Sequence, residues 1–197
     1  MLLEIKKILH LLLSVAFSSI GFIAAITVTV LAAREVSSNP YFVGFPNAVG
    51  VGGAVLGTQI FDRLSQKYSR NRALSYTFLI GSLGGLVLIY SLVIDSFILL
   101  LIGAFILGIG QSASLQTRYV ASFVATESFK ATALSLAVWF SVFGSIFGPR
   151  LVGEYSAIFD EWFGSDLIVG YFIATLGMFL AGISVSLFSQ KDSSLNK

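Results

Sequence analysis

The stretch from Gly57 to Leu74, which reads GTQIFDRLSQKYSRNRAL, decides how the whole chain is arranged. It is the most polar segment before the C-terminal tail, and it separates two long apolar runs. Lipid hydrocarbon does not accommodate a dense group of cations, and short loops rich in Lys and Arg stay on the cytoplasmic side of a membrane. We therefore predict a cytoplasmic loop between two membrane helices. Its basic residues are Arg63, Lys67, Arg70 and Arg72.

The composition of the 197-residue chain is typical of a membrane protein, because 56% of the residues are hydrophobic and only 11% are charged. Soluble domains carry about 25% charged residues. The absence of cysteine excludes disulfides and thiolate metal sites, and a single histidine is too few for a histidine metal site. No catalytic motif and no basic patch with interleaved aromatic residues is present. We expect no enzymatic activity, no cofactor, no metal and no nucleic-acid partner.

Six apolar runs, each close to the roughly 20 residues that cross a bilayer, predict an all-α membrane protein with six transmembrane helices. A soluble bundle is excluded because most of these runs lack any charged, water-facing side. We predict one bundle over residues 1–189 and a polar cytoplasmic tail over residues 190–197. The predicted helices cover residues 8–33, 41–61, 73–94, 97–123, 131–152 and 167–188, with a long acidic loop at 154–166.

The distribution of Lys and Arg predicts which way the bundle crosses the membrane. With the N-terminus inside, ten of the twelve basic residues fall on the cytoplasmic side, and only Arg34 and Arg150 fall outside. We therefore predict that both termini are cytoplasmic, in a multi-pass protein of the cell (plasma or inner) membrane. Arg150 is expected to neutralise Glu154 or a lipid headgroup.

The six runs can be read as two inverted repeats of three helices, over residues 8–94 and 97–188. The spacing Gly53-x-x-x-Gly57 in the second run matches Gly144-x-x-x-Gly148 in the fifth. Small residues at this spacing let helix backbones approach closely. The alternative is that such spacing is common in any glycine-rich membrane helix.

The segment after the second run resembles a motif of the major facilitator superfamily (MFS), with the approximate pattern G-x-x-x-D-R-x-G-R-[RK]. Asp62 and Arg63 occupy the acidic and basic pair of this motif. Thr58 stands at its first glycine position, directly after Gly57, and Ser65 stands at its second. The resemblance covers nearly the whole chain, which corresponds to the first six of the family's usual twelve helices.

The fifth run carries a second resemblance to the MFS. Gly144-x-x-x-Gly148-Pro149 is similar to the helix 5 motif G-x-x-x-G-P-x-x-G, which is typical of exporters in that family, although the last glycine comes one place late at Gly153. Proline removes a backbone donor and permits a helix to bend, so this segment could act as a gate. The alternative is a packing kink near the helix end.

The fourth run contains a polar stripe at Gln111, Ser114 and Arg118, whose spacing of three and four places them on one helix face. The segment at 108–110 resembles another family pattern, R-x-x-x-G-x-G, but Ala104 stands in the place of its arginine. We predict that the stripe lines a substrate pathway, with snorkelling to cytoplasmic headgroups as the alternative for Arg118.

Other polar groups complete the predicted site. Asn47 is a further candidate for the pathway, although such an asparagine also serves to hold helices together. The resemblance implies that Asp62 and nearby cations stabilise one conformational state across an inner gate. No acidic residue lies in the middle of a run, so coupling to protons would involve Asp62, an external group, or none. The predicted gate comprises Gly57, Asp62, Arg63, Arg70, Arg72, Gly144, Gly148 and Pro149.

The MFS resemblance implies a secondary transporter of a small solute, of the efflux type, in which this chain is a half-unit. The expected partners are the lipid bilayer, the solute, and either a second copy in a homodimer or a separate six-helix half. The alternative is a non-transporting membrane scaffold or a truncated remnant of a twelve-helix carrier.

Overall fold

The computed structural model describes residues 2–37 and 39–192, and in that part of the chain all long elements are α-helices, which confirms the predicted all-α class. Two short 3-10 turns, Pro40–Phe42 and Glu127–Phe129, precede the second and fifth helices. The helices are α1 (Leu2–Val36), α2 (Phe45–Lys67), α3 (Arg70–Val93), α4 (Phe97–Val124), α5 (Lys130–Phe163) and α6 (Ile168–Asp192).

Five of the six helices in the described part of the chain are long and apolar enough to cross a membrane, on length and composition alone. The exception is α2, because Asn47, Gln59, Asp62 and Arg63 interrupt its apolar residues. Helix length and composition therefore support five of the six predicted crossings. These five are Glu4–Val36, Arg70–Val93, Phe97–Val124, Glu127–Phe163 and Ile168–Leu187.

The predicted basic loop after the second run is wrong in its extent. Helix α2 continues through the charged residues to Lys67, and only Tyr68 and Ser69 separate it from α3. Arginine, lysine, glutamine and leucine are good helix formers, so the helix extends beyond the apolar segment. Ser69 then starts α3 by accepting a hydrogen bond at Oγ from the backbone N–H of Arg72 (3.4 Å).

The predicted acidic loop at 154–166 is also wrong, since α5 runs unbroken to Phe163. Gly164 ends the helix with a φ of 71°, in the left-handed conformation that glycine adopts most readily at a helix C-terminus. The predicted tail at 190–197 begins as helix, because α6 reaches Asp192, and residues 193–197 lie outside the described part.

Helices α1, α3, α4 and α6 form the centre of the bundle, whereas α2 and α5 lie at its flanks. The large side chains of the core come from the central helices, such as Phe78, Leu88, Leu100, Tyr171 and Met178. Each flanking helix buries only four described residues, and two of the four are glycines. The flanking helices thus pack through narrow, glycine-lined faces and leave much of their apolar surface exposed.

Close glycine contacts show the relative directions of the flanking helices. A Cβ built on Gly53 would overlap the backbone of Phe105, and one on Gly57 would lie 2.8 Å from the Cα of Ile109, so α2 and α4 run in parallel. The equivalent contacts of α5 are made to α1. A Cβ on Gly144 would lie 2.7 Å from the Cβ of Ser19, and Gly148 approaches residues 20–24.

The central helices run antiparallel to one another where they are neighbours. Ser75 donates to the carbonyl of Gly182 (2.9 Å) and Ser82 to that of Thr175 (3.2 Å), which makes α3 and α6 antiparallel. Ser184 of α6 donates to the carbonyl of His10 near the start of α1 (3.0 Å). Successive helices therefore alternate in direction along the chain.

One end of the bundle is basic and the other is acidic. The basic end is where α1, α3 and α5 begin and α2 and α4 end, and it holds Arg63, Lys67, Arg70, Arg72 and Lys130. A hydrogen bond from the Thr126 backbone N–H to Glu4 (3.3 Å) joins the start of α1 to the link between α4 and α5 there. The acidic end carries Glu35, Asp95, Asp160, Glu161 and Asp166.

Candidate functional site

A cavity of about 470 Å³, called the central cavity below, lies between α1, α2 and α4. Helix α2 contributes Asn47 and its neighbours, and α4 contributes Gln111 from the middle of its length. The remaining wall is apolar apart from Thr29 of α1. It includes Phe22, Ile26, Val51, Leu107 and Leu115, and α3 adds Leu88. Two of the four predicted pathway residues therefore meet at one cavity.

The polar groups of the central cavity differ in whether they are already hydrogen-bonded. Thr29 donates its hydroxyl to the carbonyl of Ala25 (2.7 Å) and accepts from the hydroxyl of Tyr171 (3.4 Å). The Oε1 atom of Gln111 is buried and has no hydrogen-bond partner in the described part of the chain. A buried acceptor without a partner carries a free-energy cost.

A second cavity of about 380 Å³, the basic-end cavity, lies where α2 and α4 end and α3 and α5 begin. Asp62, Arg70 and Lys130 line it. The Arg70 guanidinium carbon lies 3.9 Å from the ring centre of Phe123, a cation–π arrangement. Lys130 forms an ion pair with Glu127 (2.6 Å).

The two cavities are separated by the closest approach of α2 to α4. Along α2 the central cavity ends at Ala54 and the basic-end cavity starts at Phe61, and Gly57 lies between them. A Cβ on Gly57 would lie 2.5 Å from the Oγ of Ser112 and 2.8 Å from the backbone of Ile109. Only glycine lets the two backbones meet in this way. Gly57 is thus part of the layer that divides one cavity from the other.

The remaining two predicted pathway residues lie elsewhere. Ser114 is buried and accepts a hydrogen bond from the hydroxyl of Ser18 (3.0 Å), which ties α4 to α1. Arg118 is half-buried and lines neither of the two cavities. Its Nε atom is buried without a hydrogen-bond partner in the described residues.

The predicted gate residues of the basic end are mostly solvent-facing. Asp62, Arg63, Arg70 and Arg72 are all exposed, and within residues 2–37 and 39–192 the structure contains no ion pair of Asp62. Only Asp62 and Arg70 of these four line the basic-end cavity.

The predicted gate residues of α5 divide into two groups. Gly144 and Gly148 face α1 and are buried, whereas Pro149 is exposed. The Nε atom of Arg150 lies 3.9 Å from Oε2 of Glu154, one of the two partners predicted for it. Proline does not end the helix here, because α5 continues to Phe163.

Sequence reasoning missed the contribution of α1 to the central cavity. Phe22, Ile26 and Thr29 line it, but the hydroxyl side chains scattered along α1 gave no signal that singled out these three residues. Pro46 also lines the cavity. It lies in the first turn of α2, whereas the predicted helix over residues 41–61 placed it inside the run.

The sequence of the chain is similar to two curated transporter sequences of Bacillus subtilis (strain 168). It is 34% identical over 181 residues to the uncharacterized MFS-type transporter YdeG, covering 91% of this chain and 42% of that protein. It is 33% identical over 189 residues to the uncharacterized MFS-type transporter YddS, covering 95% of this chain and 43% of that protein. The chain thus spans less than half the length of these relatives. No protein-family model matches the chain, and no solved structure matches it significantly.

Proposed function

The chain belongs to the major facilitator superfamily, and from this premise we propose that it is one six-helix half of a secondary transporter for a small solute. Its two relatives are named transporters of this kind, and its apolar helices make it a multi-pass membrane protein. The chain corresponds to about two-fifths of each relative, so the complete carrier requires further helices.

The central cavity is the observation that carries this proposal. It lies mainly between α1, α2 and α4, it has the volume of a small-ligand site, and its wall is apolar apart from two amides and the Thr29 hydroxyl. Gln111 reaches it from the middle of α4, which corresponds to the middle of the bilayer. Substrate sites of secondary transporters lie near that depth.

We propose that α2 is the sixth crossing. It runs beside α4 in the same direction and touches it through Gly53 and Gly57, so it spans the same depth as a helix that is apolar enough to cross. The alternating helix directions then place the basic end on one side of the membrane. The excess of Lys and Arg at that end supports a cytoplasmic location for it and for both termini.

We further propose that the bundle consists of two inverted three-helix repeats. The contact of α2 with α4 corresponds to that of α5 with α1, since each uses a pair of glycines four residues apart. In this arrangement Gly57 and Gly148 occupy equivalent positions in the two repeats. The contact of Gly57 between the two cavities supports a role in gating, and the helix 5 motif ending in Pro149 supports the efflux direction.

A transport assay in cells tests the proposal. The chain is produced in bacteria that lack their drug exporters, alone, as a fused tandem of two copies, and together with the remainder of YdeG. Cells are loaded with Nile red (uncharged), ethidium (cationic) or fluorescein (anionic), and energy-dependent loss of fluorescence is followed. We expect faster loss of at least one dye in at least one assembly, and slower loss with Gln111→Leu. Folded protein that moves no dye in any assembly would instead support a scaffold.

A further inference from the structure

We propose that the basic-end cavity binds the headgroup of an anionic phospholipid, with Arg70 and Lys130 as the groups that attract its phosphate. Lipid binding of this kind goes beyond the proposed transport function and does not depend on it. It requires only that α3 and α4 cross the membrane, because the cavity lies where α3 begins and α4 ends.

The stretch that joins α2 to α3 carries more cations than this chain neutralises. It contains one acid, Asp62, and four basic residues: Arg63, Lys67, Arg70 and Arg72. All five are exposed, and in the described part of the chain none of the four cations is paired with a carboxylate. Cations at a membrane surface attract anionic lipids, each strengthening binding roughly fivefold.

The basic-end cavity gives these charges a concave site. Arg70 at the start of α3 and Lys130 at the start of α5 both line its volume of about 380 Å³, which is within the range of small-ligand sites. The ring of Phe123, 3.9 Å from the guanidinium carbon, holds Arg70 beside the cavity. The Gln116 amide and the Tyr119 hydroxyl also line it, and both can donate hydrogen bonds to phosphate oxygens.

Two carboxylates lie close to these cations without closing the site to an anion. Lys130 pairs with Glu127 (2.6 Å), but the Glu127 side chain is 89% exposed, and such a surface pair is weak. Asp62 lines the cavity and repels an anion, so the site attracts phosphate only because the neighbouring cations outnumber this acid. Removal of the Asp62 charge should therefore strengthen the binding of an anionic lipid.

Exposed aromatic side chains favour a lipid over a soluble anion. Tyr119 and Phe123 are exposed in the last two turns of α4, and Tyr76 is exposed in the second turn of α3. Aromatic residues at the ends of membrane helices lie at the level of the lipid headgroups. The glycerol and acyl groups of a phospholipid can contact these rings, whereas a free phosphate ion gains nothing from them.

Competition binding to the chain in dodecyl maltoside tests the assignment without any transport. Binding of radiolabelled dioleoyl-phosphatidylglycerol is followed by scintillation proximity and displaced with unlabelled lipids. We expect phosphatidylglycerol to bind about 5–10-fold more tightly than phosphatidylethanolamine or phosphatidylcholine with the same acyl chains, because only the first has a net negative charge. Equal or tighter binding of either lipid without net charge would overturn the assignment, and this comparison needs no variant.

Three substitutions of exposed residues locate the headgroup. Arg70→Gln is expected to remove most of the preference for phosphatidylglycerol. Arg34→Gln is the matched control, because Arg34 is equally an exposed arginine but lies near the acidic end, and it is expected to keep the preference. Asp62→Asn is expected to tighten phosphatidylglycerol binding about 2–5-fold. A loss of preference in Arg34→Gln as large as in Arg70→Gln, or no tightening in Asp62→Asn, would show that the lipid binds elsewhere.

Inorganic phosphate distinguishes a lipid site from a site for soluble anions. Millimolar potassium phosphate is compared with potassium chloride at the same ionic strength, so that screening of charge is equal in the two solutions. We expect both salts to displace the same amount of labelled phosphatidylglycerol. Greater displacement by phosphate would assign the cavity to a soluble phosphate and overturn the lipid assignment.

Discussion

Gly57 shows how one residue without a side chain determines the packing of two helices in this bundle. It is the point at which α2 and α4 touch between the two cavities, and a Cβ there would meet both Ser112 and Ile109. Gly52 lies on the same helix, one to two turns earlier, with nothing within 4 Å of its would-be Cβ. Substitutions at Gly57 and Gly52 therefore distinguish the effect of disturbing the α2–α4 contact from the effect of replacing a glycine within a helix.

We predict that Gly57→Leu destabilises the folded protein by about 1–3 kcal/mol, because a large side chain forces α2 away from α4. Gly52→Leu is expected to be neutral or slightly stabilising, since its side chain enters open space and leucine favours helix. Thermal unfolding of both variants in the same detergent measures the difference. Equal melting temperatures would show that the close approach at Gly57 has no energetic role.

At the residue scale, the sequence predicts part of the candidate site. Asn47 and Gln111 were identifiable as amides within apolar runs, and both line the central cavity. The helical spacing that placed Ser114 and Arg118 on the same face as Gln111 did not predict their surroundings. Residues on one face of α4 but in successive turns contact different neighbouring helices. Ser114, for example, is hydrogen-bonded to Ser18 of α1. Such contacts depend on helix packing, which periodicity does not specify.

At the scale of elements, α2 and α5 resemble each other more than either resembles its neighbours. Both bury four described residues, both use two glycines at a spacing of four, and both pack in parallel with a central helix. Close glycine packing is a principal source of helix association in lipid, where no hydrophobic effect drives helices together.

We predict that Gly144→Leu weakens the packing of α5 on α1, because a Cβ at Gly144 would already lie 2.6 Å from the Ser19 backbone. The expected loss of stability is about 1–3 kcal/mol. Gly153→Leu is the control, since Gly153 lies on the same helix with open space around it. Heat-induced loss of the monodisperse peak in size-exclusion chromatography compares the two. A Gly153 variant that melts as early as the Gly144 variant would contradict this packing.

The sequence predicted the number and order of helices better than their ends. Apolar runs mark the lipid-buried part of each helix, but hydrogen bonding continues into charged segments that water can solvate. The extension of α2 to Lys67 and of α5 to Phe163 follows from this difference. The helices end where the local backbone conformation changes, as at Gly164 with its left-handed φ. Hydropathy does not detect such ends.

At the scale of the whole molecule, the charges collect at the two ends of an apolar bundle. Because helix directions alternate, the cations at the end of α2, at the start of α3 and at the start of α5 gather at the basic end although they are distant in the sequence. The sequence could predict this segregation from the positions of Lys and Arg. It could not predict the central cavity, which depends on how α1, α2 and α4 diverge.

Helix α2 decides the membrane topology, because it is the one long helix in the described chain that is not apolar enough to qualify as a span by composition. If α2 crosses the membrane, the alternating directions put the whole basic end on one side, which we propose is the cytoplasm, and the central cavity within the bilayer. If it lies on the surface, the helices after it are inverted relative to the membrane.

The most direct test is the accessibility of single cysteines on either side of α2. The chain has no native cysteine, so Asn39→Cys before α2 and Ser69→Cys after it each give one unique label site. With a membrane-impermeant maleimide applied to intact cells and then to inverted vesicles, we predict that Asn39→Cys reacts only from outside and Ser69→Cys only from inside. Labelling of both positions from the same side would contradict the six-crossing bundle.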